Sequence, residues 1–307
     1  MKYAVIIPVR NGGKIWMECV DSILKQKNIT PFIYVIDSNS SDKSINAALH
    51  LTNKIISIPE SDFNHGGTRN LGVTLVENTV EIIIFLTQDV ILCSDTTFED
   101  IISPFSDPHV FAAYGRQLPH KDANPIATHA RYFSYGKNSF IGSLDSKKKL
   151  GIKTVFLSNS FAAYRVSEFN KLSGFPENTI LCEDMFLAAK GILAGYKVAY
   201  VANATVFHSH NYSPMEELRR YFDIGVFHHD QKWIRQSFGE TSGEGKKYIV
   251  SEFKYLLEHS PRWIPRAIVS NLFKIIGYKL GCNYGLLPVS FRKKLSMHKA
   301  YWNKLKN

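Results

Sequence analysis

The stretch Glu81-Ile82-Ile83-Ile84-Phe85-Leu86-Thr87-Gln88-Asp89-Val90 decides the fold. Its apolar, β-branched run does not alternate, and it stops abruptly at Gln88 and Asp89. A run of this kind reads as a strand buried on both faces, at the centre of a parallel sheet. Ligands of open α/β sheets collect at the carboxyl ends of such strands. A carboxylate there can hold a hard cation against a phosphate. Asp89 stands at that place. The plainer reading, that it only caps the following turn, is equally open from this segment alone.

Outward from this strand, the pattern predicts strands over 3–8, 32–36 and 54–58. Helices are expected over 15–26, 43–51 and 67–77. Strands alternating with helices imply an α/β fold: a Rossmann-like, mostly parallel sheet flanked by helices, with right-handed crossovers. Both glycine-rich phosphate fingerprints, Gly-x-Gly-x-x-Gly and Gly-x-x-x-x-Gly-Lys-Ser/Thr, are missing, so a nucleotide must be held by other means. Further on, strands are expected over 110–115, 158–165, 197–201 and 204–210. Helices are expected over 166–172 and from Cys182-Glu183-Asp184 to about 194. The polar segment 124–153 reads as mobile or acceptor-side. From Pro214 the pattern turns helical, which divides the chain into a domain over 1–213 and a helical C-terminal region over 214–307. Tyr248, Ile249, Phe253, Leu256 and Leu257 share one helical face. Ile264, Ile268, Leu272, Ile275 and Ile276 form another stripe, with Arg266, Lys274 and Lys279 elsewhere around that helix.

Composition narrows the classes. The chain has 307 residues, 45% hydrophobic and 21% charged, as in ordinary folded domains. No uncharged apolar run approaches the roughly 18 to 20 residues needed to cross a bilayer, and the N-terminus lacks a signal-peptide layout. Cys19, Cys93, Cys182 and Cys282 have no paired spacing, which suits a reducing cytoplasm and argues against a zinc or disulfide framework. The net charge of +10 is concentrated. Residues 246–307 hold 13 Lys and Arg against Glu252 and Glu258, while the remainder is close to neutral. A basic tail can meet nucleic acid or an anionic membrane. It lacks any recognised nucleic-acid module, and a nucleic-acid binder would leave the acids and histidines below unexplained.

Four groups of residues can carry chemistry together. Asp37, at the end of the second strand, can accept from the imide N–H of a pyrimidine or can serve as a turn residue. In His65-Gly66-Gly67-Thr68-Arg69-Asn70, two glycines admit a close ligand and Arg69 can grip a phosphate; the alternative is a plain helix start with an exposed arginine. Glu183-Asp184 opens a helix, where acids complement the dipole or, in a cleft, supply a general base. His208-Ser209-His210 ends a strand, and period two puts both imidazoles on one face, where one can ligate a metal shared with Asp89. His228-His229 falls within a helix and reads as structural or acceptor-side.

In this order the pieces resemble the family 2 glycosyltransferases of GT-A fold. The resemblance is carried by Pro8-Val9-Arg10-Asn11, Asp37-Ser38, His65 to Asn70, Thr87-Gln88-Asp89, Glu183-Asp184 and the closing histidine. It spans about residues 3–230. Residues 62–70, 208–213 and 220–225 further resemble bacterial rhamnosyltransferases of O-antigen and related surface polysaccharides. One departure is that the family's usual Asp-x-Asp has Thr87 in place of the first acid.

The resemblance implies an inverting transfer from a nucleotide diphosphate sugar, dTDP-β-L-rhamnose, onto a lipid-linked glycan. It places Pro8, Arg10, Asn11, Asp37, Arg69, Gln88 and Asp89 in the nucleotide-sugar site, with Arg69 on the diphosphate. It makes Asp89 and His208 the ligands of Mg²⁺ or Mn²⁺, with His210 as the alternative. Asp184 is the implied base, already ionised if its pKa is the ordinary value of about 4, and Glu183 orients it or binds acceptor. The basic helices suit the cytoplasmic face of an inner membrane; the plainer reading is a packed helical subdomain with a solvated basic face. Transfer of another dTDP- or UDP-sugar and a sugar-phosphate nucleotidyltransferase are the competing activities.

Overall fold

A computed structural model describes residues 1–28, 30–239 and 242–304. The last three residues of the expected C-terminal region, 305–307, lie outside the described residues. The chain begins with β1 (Tyr3–Val9), α1 (Gly13–Leu24), β2 (Phe32–Asp37), α2 (Ser44–Ala48), β3 (Ile55–Ser57), α3 (His65–Thr74) and β4 (Ile82–Leu86). It continues through β5 (Ile91–Leu92), α4 (Thr97–Ile102), β6 (Val110–Leu118), α5 (Pro125–Ser134), β7 (Phe140–Gly142) and α6 (Lys147–Leu150). Next come β8 (Phe161–Arg165), α7 (Val166–Lys171), α8 (Glu183–Leu193) and β9 (Lys197–Phe207). Helices follow: α9 (Pro214–Asp230), α10 (Lys232–Phe238), α11 (Ser242–His259), α12 (Ile264–Cys282), α13 (Val289–Leu295) and α14 (Tyr301–Lys304).

Two compact units result. One comprises Met1–Leu118, Tyr135–Glu177 and Glu183–His208; the other comprises Pro119–Ser134, Asn178–Cys182 and Ser209–Asn307. Sequence pattern alone assigns 119–134 and 178–182 to the N-terminal domain, because it cannot show which neighbour a short segment packs on.

The first unit is built on one sheet of order β3-β2-β1-β4-β8-β6-β9-β5, with β7 paired to β9. All five residues of β4 are buried, as its unbroken apolar run requires. β1 to β4 pair in parallel, and β8 runs antiparallel to both β4 and β6. β9 is parallel to β6. The carboxyl ends of β1, β2, β4, β6 and β9 therefore share one edge of the sheet with the amino end of β8. Helix α1 covers one face through Trp16, Cys19, Val20 and Ile23, and the Trp16 indole N–H donates to Ser44 O at 2.9 Å.

Two expectations change here. The segment 124–153, read from sequence as mobile or acceptor-side, forms α5, β7 and α6. The two strands expected over 197–210 are one, β9, interrupted where its register against β6 jumps between Gly115 and Arg116. Val201 pairs with Gly115 and Thr205 with Arg116, so residues 202–204 lie outside the ladder. Such irregularities re-aim side chains at strand ends.

In the second unit α9 starts with a reciprocal cap. Ser213 Oγ accepts from Glu216 N, and Glu216 Oε2 accepts from Ser213 N. Helices α9 and α12 then pack at backbone distance. A Cβ at Gly281 would come within 2.0 Å of Phe222 O, and one at Gly277 within 2.2 Å of Leu218 O. The adjoining layer is polar: the Lys274 ammonium meets Glu217 at 3.4 Å, and Tyr248 and Asn271 both donate to Glu252.

Candidate active site

The site is assembled along the shared edge of the sheet in the first unit. At the end of β1 the chain turns through Asn11 at φ 44°, a left-handed conformation that asparagine tolerates. Ser41 N donates to Asn11 Oδ1 at 2.8 Å, and Asn11 N donates to Ser40 Oγ at 2.9 Å. The Asp37 carboxylate is buried and accepts from Ser40 N at 3.1 Å. That is the turn role foreseen for it, played at the ligand edge of the sheet. Gln88 ties β4 to β1: its Oε1 accepts from Arg10 N at 2.6 Å and its Nε2 donates to Arg10 O at 3.0 Å. The exposed Arg10 guanidinium pairs with Glu60 at 2.6 Å. Pro8 is half-buried in β1, next to this turn.

Asp89 follows β4, and His208 follows β9. His208 Nε2 lies 3.3 Å from Asp89 Oδ2, and its Nδ1 lies 2.9 Å from Gln117 Oε1. The Gln117 amide is itself oriented, because its Nε2 donates to Ser158 Oγ at 3.0 Å. Its oxygen is thereby turned to accept from Nδ1–H of His208. In the neutral imidazole that tautomer aims the Nε2 lone pair at the Asp89 carboxylate. Two electron-rich groups facing each other, with the histidine steered from behind by an amide, is the arrangement a metal ligand set requires. His210 lies two residues on in the segment leaving β9, and the ligand atoms of Asp89, His208 and His210 all lie within 4.8 Å of one another. A carboxylate with imidazole nitrogen suits a divalent cation of intermediate hardness.

Two buried hydroxyls at the same edge, Ser38 Oγ and Thr87 Oγ1, have no hydrogen-bond partner among the described residues. Unpaired buried hydroxyls carry a desolvation cost that a polar ligand removes. Thr87 stands where the related motif has its first acid, so the position offers a hydroxyl instead of a second carboxylate.

Glu183 and Asp184 open α8. β8 starts beside the end of β4, where Thr87 N donates to Ser160 O at 3.2 Å, and the neighbouring Asn159 binds both acids. Asn159 N donates to Asp184 Oδ2 at 3.0 Å, and Asn159 Nδ2 donates to Glu183 Oε1 at 2.9 Å. Burial, reinforced by the Glu183 charge, pushes the Asp184 carboxyl up to about 7. The expectation of an ordinary carboxylate near 4 is thus corrected. Glu183 moves the other way: burial raises it, but the charges of Arg69 and His65 and the hydrogen bond from Asn159 together outweigh burial and hold its carboxyl below the usual range.

Two further expectations for the 65–70 segment are corrected. Arg69 is 4% exposed, and its Nη1 donates to Glu183 at 3.1 Å and to His65 O at 2.9 Å. It is placed beneath the acidic pair and is not presented to a diphosphate, because the buried Glu183 requires a cation. The glycines serve packing: a Cβ at Gly66 would meet Pro176 O at 2.1 Å, and one at Gly67 would meet the Asn64 side chain that caps α3. Glu183 is equally buried, and its carboxylate is taken up by Arg69 and Asn159. Gln117 and Asn159 escaped the sequence reading. Gln117 lies beyond an irregularity in β6, and Asn159 precedes its strand, so neither belongs to a spaced motif. In the second unit His228 bonds Tyr278 and His229 bonds Cys282 O, as structural histidines do.

A sequence model of glycosyl transferase family 2 matches residues 4–173. The chain is 52% identical over 306 residues to the O-antigen chain rhamnosyltransferase RfbN of Salmonella typhimurium, covering 99% of this chain and 97% of that protein. It is 50% identical to the O-antigen chain rhamnosyltransferase WbaN of Salmonella anatum, over 99% of this chain and 96% of that one. Among solved structures it resembles the mannosyltransferase PcManGT of Pyrobaculum calidifontis in complex with GDP-Man and Mn²⁺, with a TM-score of 0.57 at 18% identity over 98% of this chain and 85% of that one. It also resembles S. aureus TarS 1-349 in complex with UDP-GlcNAc, with a TM-score of 0.52 at 17% identity over 93% and 91% of the two chains. These distant likenesses establish the fold, which is that of the GT-A glycosyltransferases. The nucleotidyltransferase reading falls with the sequence match. The chain is a member of glycosyl transferase family 2.

Proposed function

We propose that the protein transfers L-rhamnose from dTDP-β-L-rhamnose, with inversion, to a hydroxyl of a lipid-linked glycan during O-antigen assembly. The relatives at 50–52% identity are O-antigen chain rhamnosyltransferases over nearly their whole length, which supports this sugar and pathway. The single observation that carries the chemistry is the convergence of Asp89, His208 and Asp184 on one edge of one sheet. They are joined there through Gln117, Ser158 and Asn159.

In this reading Asp37 and the turn at Arg10 and Asn11 receive the pyrimidine and ribose, and Gln88 holds that turn against β4. Asp89 and His208, with His210 as the alternative ligand, would hold a Mg²⁺ or Mn²⁺ ion, which would supply Lewis-acid stabilisation of the leaving diphosphate. Asp184 accepts the proton of the acceptor hydroxyl as the oxygen attacks the anomeric carbon and the bond to the diphosphate breaks. A carboxyl raised to about 7 is a stronger base than an ordinary one when ionised, and it is substantially ionised at neutral pH. Asn159 fixes its direction, and Arg69 keeps Glu183 charged beside it. The acceptor lipid places the protein peripherally on the cytoplasmic face of the inner membrane.

A donor panel tests this: thermal shift and product formation with dTDP-rhamnose, other dTDP-sugars, UDP-sugars and GDP-sugars, each with and without Mn²⁺. Stabilisation by dTDP-rhamnose that requires Mn²⁺ in wild type and is lost in His208→Ala is expected. Equal or stronger use of a UDP-sugar overturns the donor assignment, and a metal-independent response overturns the metal's role.

A further inference from the structure

Helix α12 is inverted. The face it turns toward its own unit carries Ala267, Ser270, Lys274, Gly277 and Gly281, all buried. The face it turns to solvent carries Ile268 at 60% exposure, Val269, Leu272 at 52%, Ile275 and Ile276. On a helical wheel these five fall within one arc opposite the buried set, and Lys279 is the one charge among them. In water a surface helix buries its large aliphatics and exposes its charges. Here the small residues let α12 lie against the α9 backbone, while the interior is filled by the Lys274–Glu217 pair and the Tyr248–Glu252–Asn271 hydrogen bonds. The neighbouring α11 repeats the theme in part. Ile249, Val250, Phe253 and Leu257 are exposed in a stripe flanked by Lys246, Lys247 and Lys254.

We infer that the outward faces of α11 and α12 form a docking surface for an anionic phospholipid bilayer, lying in the headgroup region parallel to the membrane plane. The apolar stripe supplies area to bury among acyl chains, and the flanking Lys246, Lys247, Lys254, Arg262, Arg266 and Lys279 supply attraction to anionic headgroups. Charge decides the occupant: a second copy would bring the same lysines against these and be repelled, whereas an anionic bilayer complements them. Insertion across the bilayer is not the mode, since no helix among the described residues is long and apolar enough to span it. The inference extends the membrane-surface location proposed above by naming the surface, but its geometric basis is independent of the donor.

The test is vesicle flotation of the full chain with phosphatidylglycerol–phosphatidylethanolamine vesicles and with phosphatidylcholine vesicles, at low and high salt. Wild type should float with the anionic vesicles, less at high salt, and should stay in the soluble fraction with phosphatidylcholine. Leu272→Glu with Ile276→Glu should lower anionic partitioning by roughly tenfold or more, with the melting temperature and Mn²⁺-dependent dTDP binding unchanged. Because both side chains face solvent, the double variant should fold as wild type does; Leu272→Ser with Ile276→Ser provides a neutral second test with a smaller loss. Wild-type failure to float overturns the inference, as does flotation unchanged by either variant. Sedimentation showing that wild type dimerises through this face and the variants do not assigns it to a second copy and also overturns the inference. Flotation with no dTDP binding would sink the donor reading and leave the docking surface standing.

Discussion

The raised pKa of Asp184 makes the candidate site testable at a single carboxyl. Asp184→Asn removes the proposed base but keeps its size and its ability to accept from Asn159 N, so transfer should fall by about a thousandfold or more while dTDP binding stays within a few-fold of wild type. Retention of turnover would place the base elsewhere. The base must be ionised, so kcat/KM should fall tenfold per pH unit below about 7 and level off above it. A flat profile between pH 5.5 and 8 would contradict the assignment. In the proposed reading Gln117 acts one step removed, by fixing the His208 tautomer. Gln117→Leu should weaken Mn²⁺ affinity by roughly 10–100-fold, read by titration of the dTDP complex, while Gln117→Glu, which can still accept from Nδ1–H, should recover most of it.

Elements differ in how much substitution they tolerate. The contact of α9 with α12 is made by backbone, and Gly281→Val has no room because the intruding Cβ meets the Phe222 carbonyl, which cannot rotate away. Separating the helices also pulls on the buried Lys274 network. Gly281→Val should cost about 3 kcal/mol or more, visible as a lower denaturation midpoint, whereas Gly285→Ala, with nothing within 4 Å, should be close to neutral. Equal effects of the two would mean that the helices are not held by close packing. The sheet edge has a related sensitivity: β9 reaches His208 in the right direction only because it leaves three residues unpaired against β6.

At the scale of the whole molecule, stability should track pH through buried carboxyls. Asp184 in one unit and Asp223 in the other are both raised to about 7, chiefly by burial. A carboxyl with a raised folded-state value favours folding when protonated. Its contribution is complete below the unfolded value near 4 and is lost as pH rises through about 7. Glu183 is lowered and acts oppositely, its contribution disappearing as pH falls below the usual glutamate range. Melting temperature should therefore decline between about pH 4 and 7 and level off above, and Asp223→Asn should be more stable than wild type at pH 8 and equal to it below about pH 4. A variant no more stable than wild type at pH 8 would show that the Asp223 carboxylate is accommodated without cost.

The sequence by itself determined the alternation of strands and helices in the first half, the buried centre at β4, and the family through short motifs in fixed order. Those features are local: an apolar run, a turn after it, and one or two polar residues at a strand end are each written in a few adjacent residues. It also marked Asp89, Asp184 and the 208/210 pair as candidates, because strand and helix ends mark themselves by abrupt changes of polarity. Only the tertiary structure decided what those residues touch. Arg69 reads as an anion grip until the fold brings Glu183 beside it, 114 positions away in sequence. Asp184 reads as an ordinary acid until burial and that neighbour raise its pKa. The stripe on α12 reads either as a membrane-facing or as a core-facing surface until the glycines and Lys274 take the inside. Periodicity reports which residues share a face, but which face turns inward is fixed by what the rest of the chain places beside it.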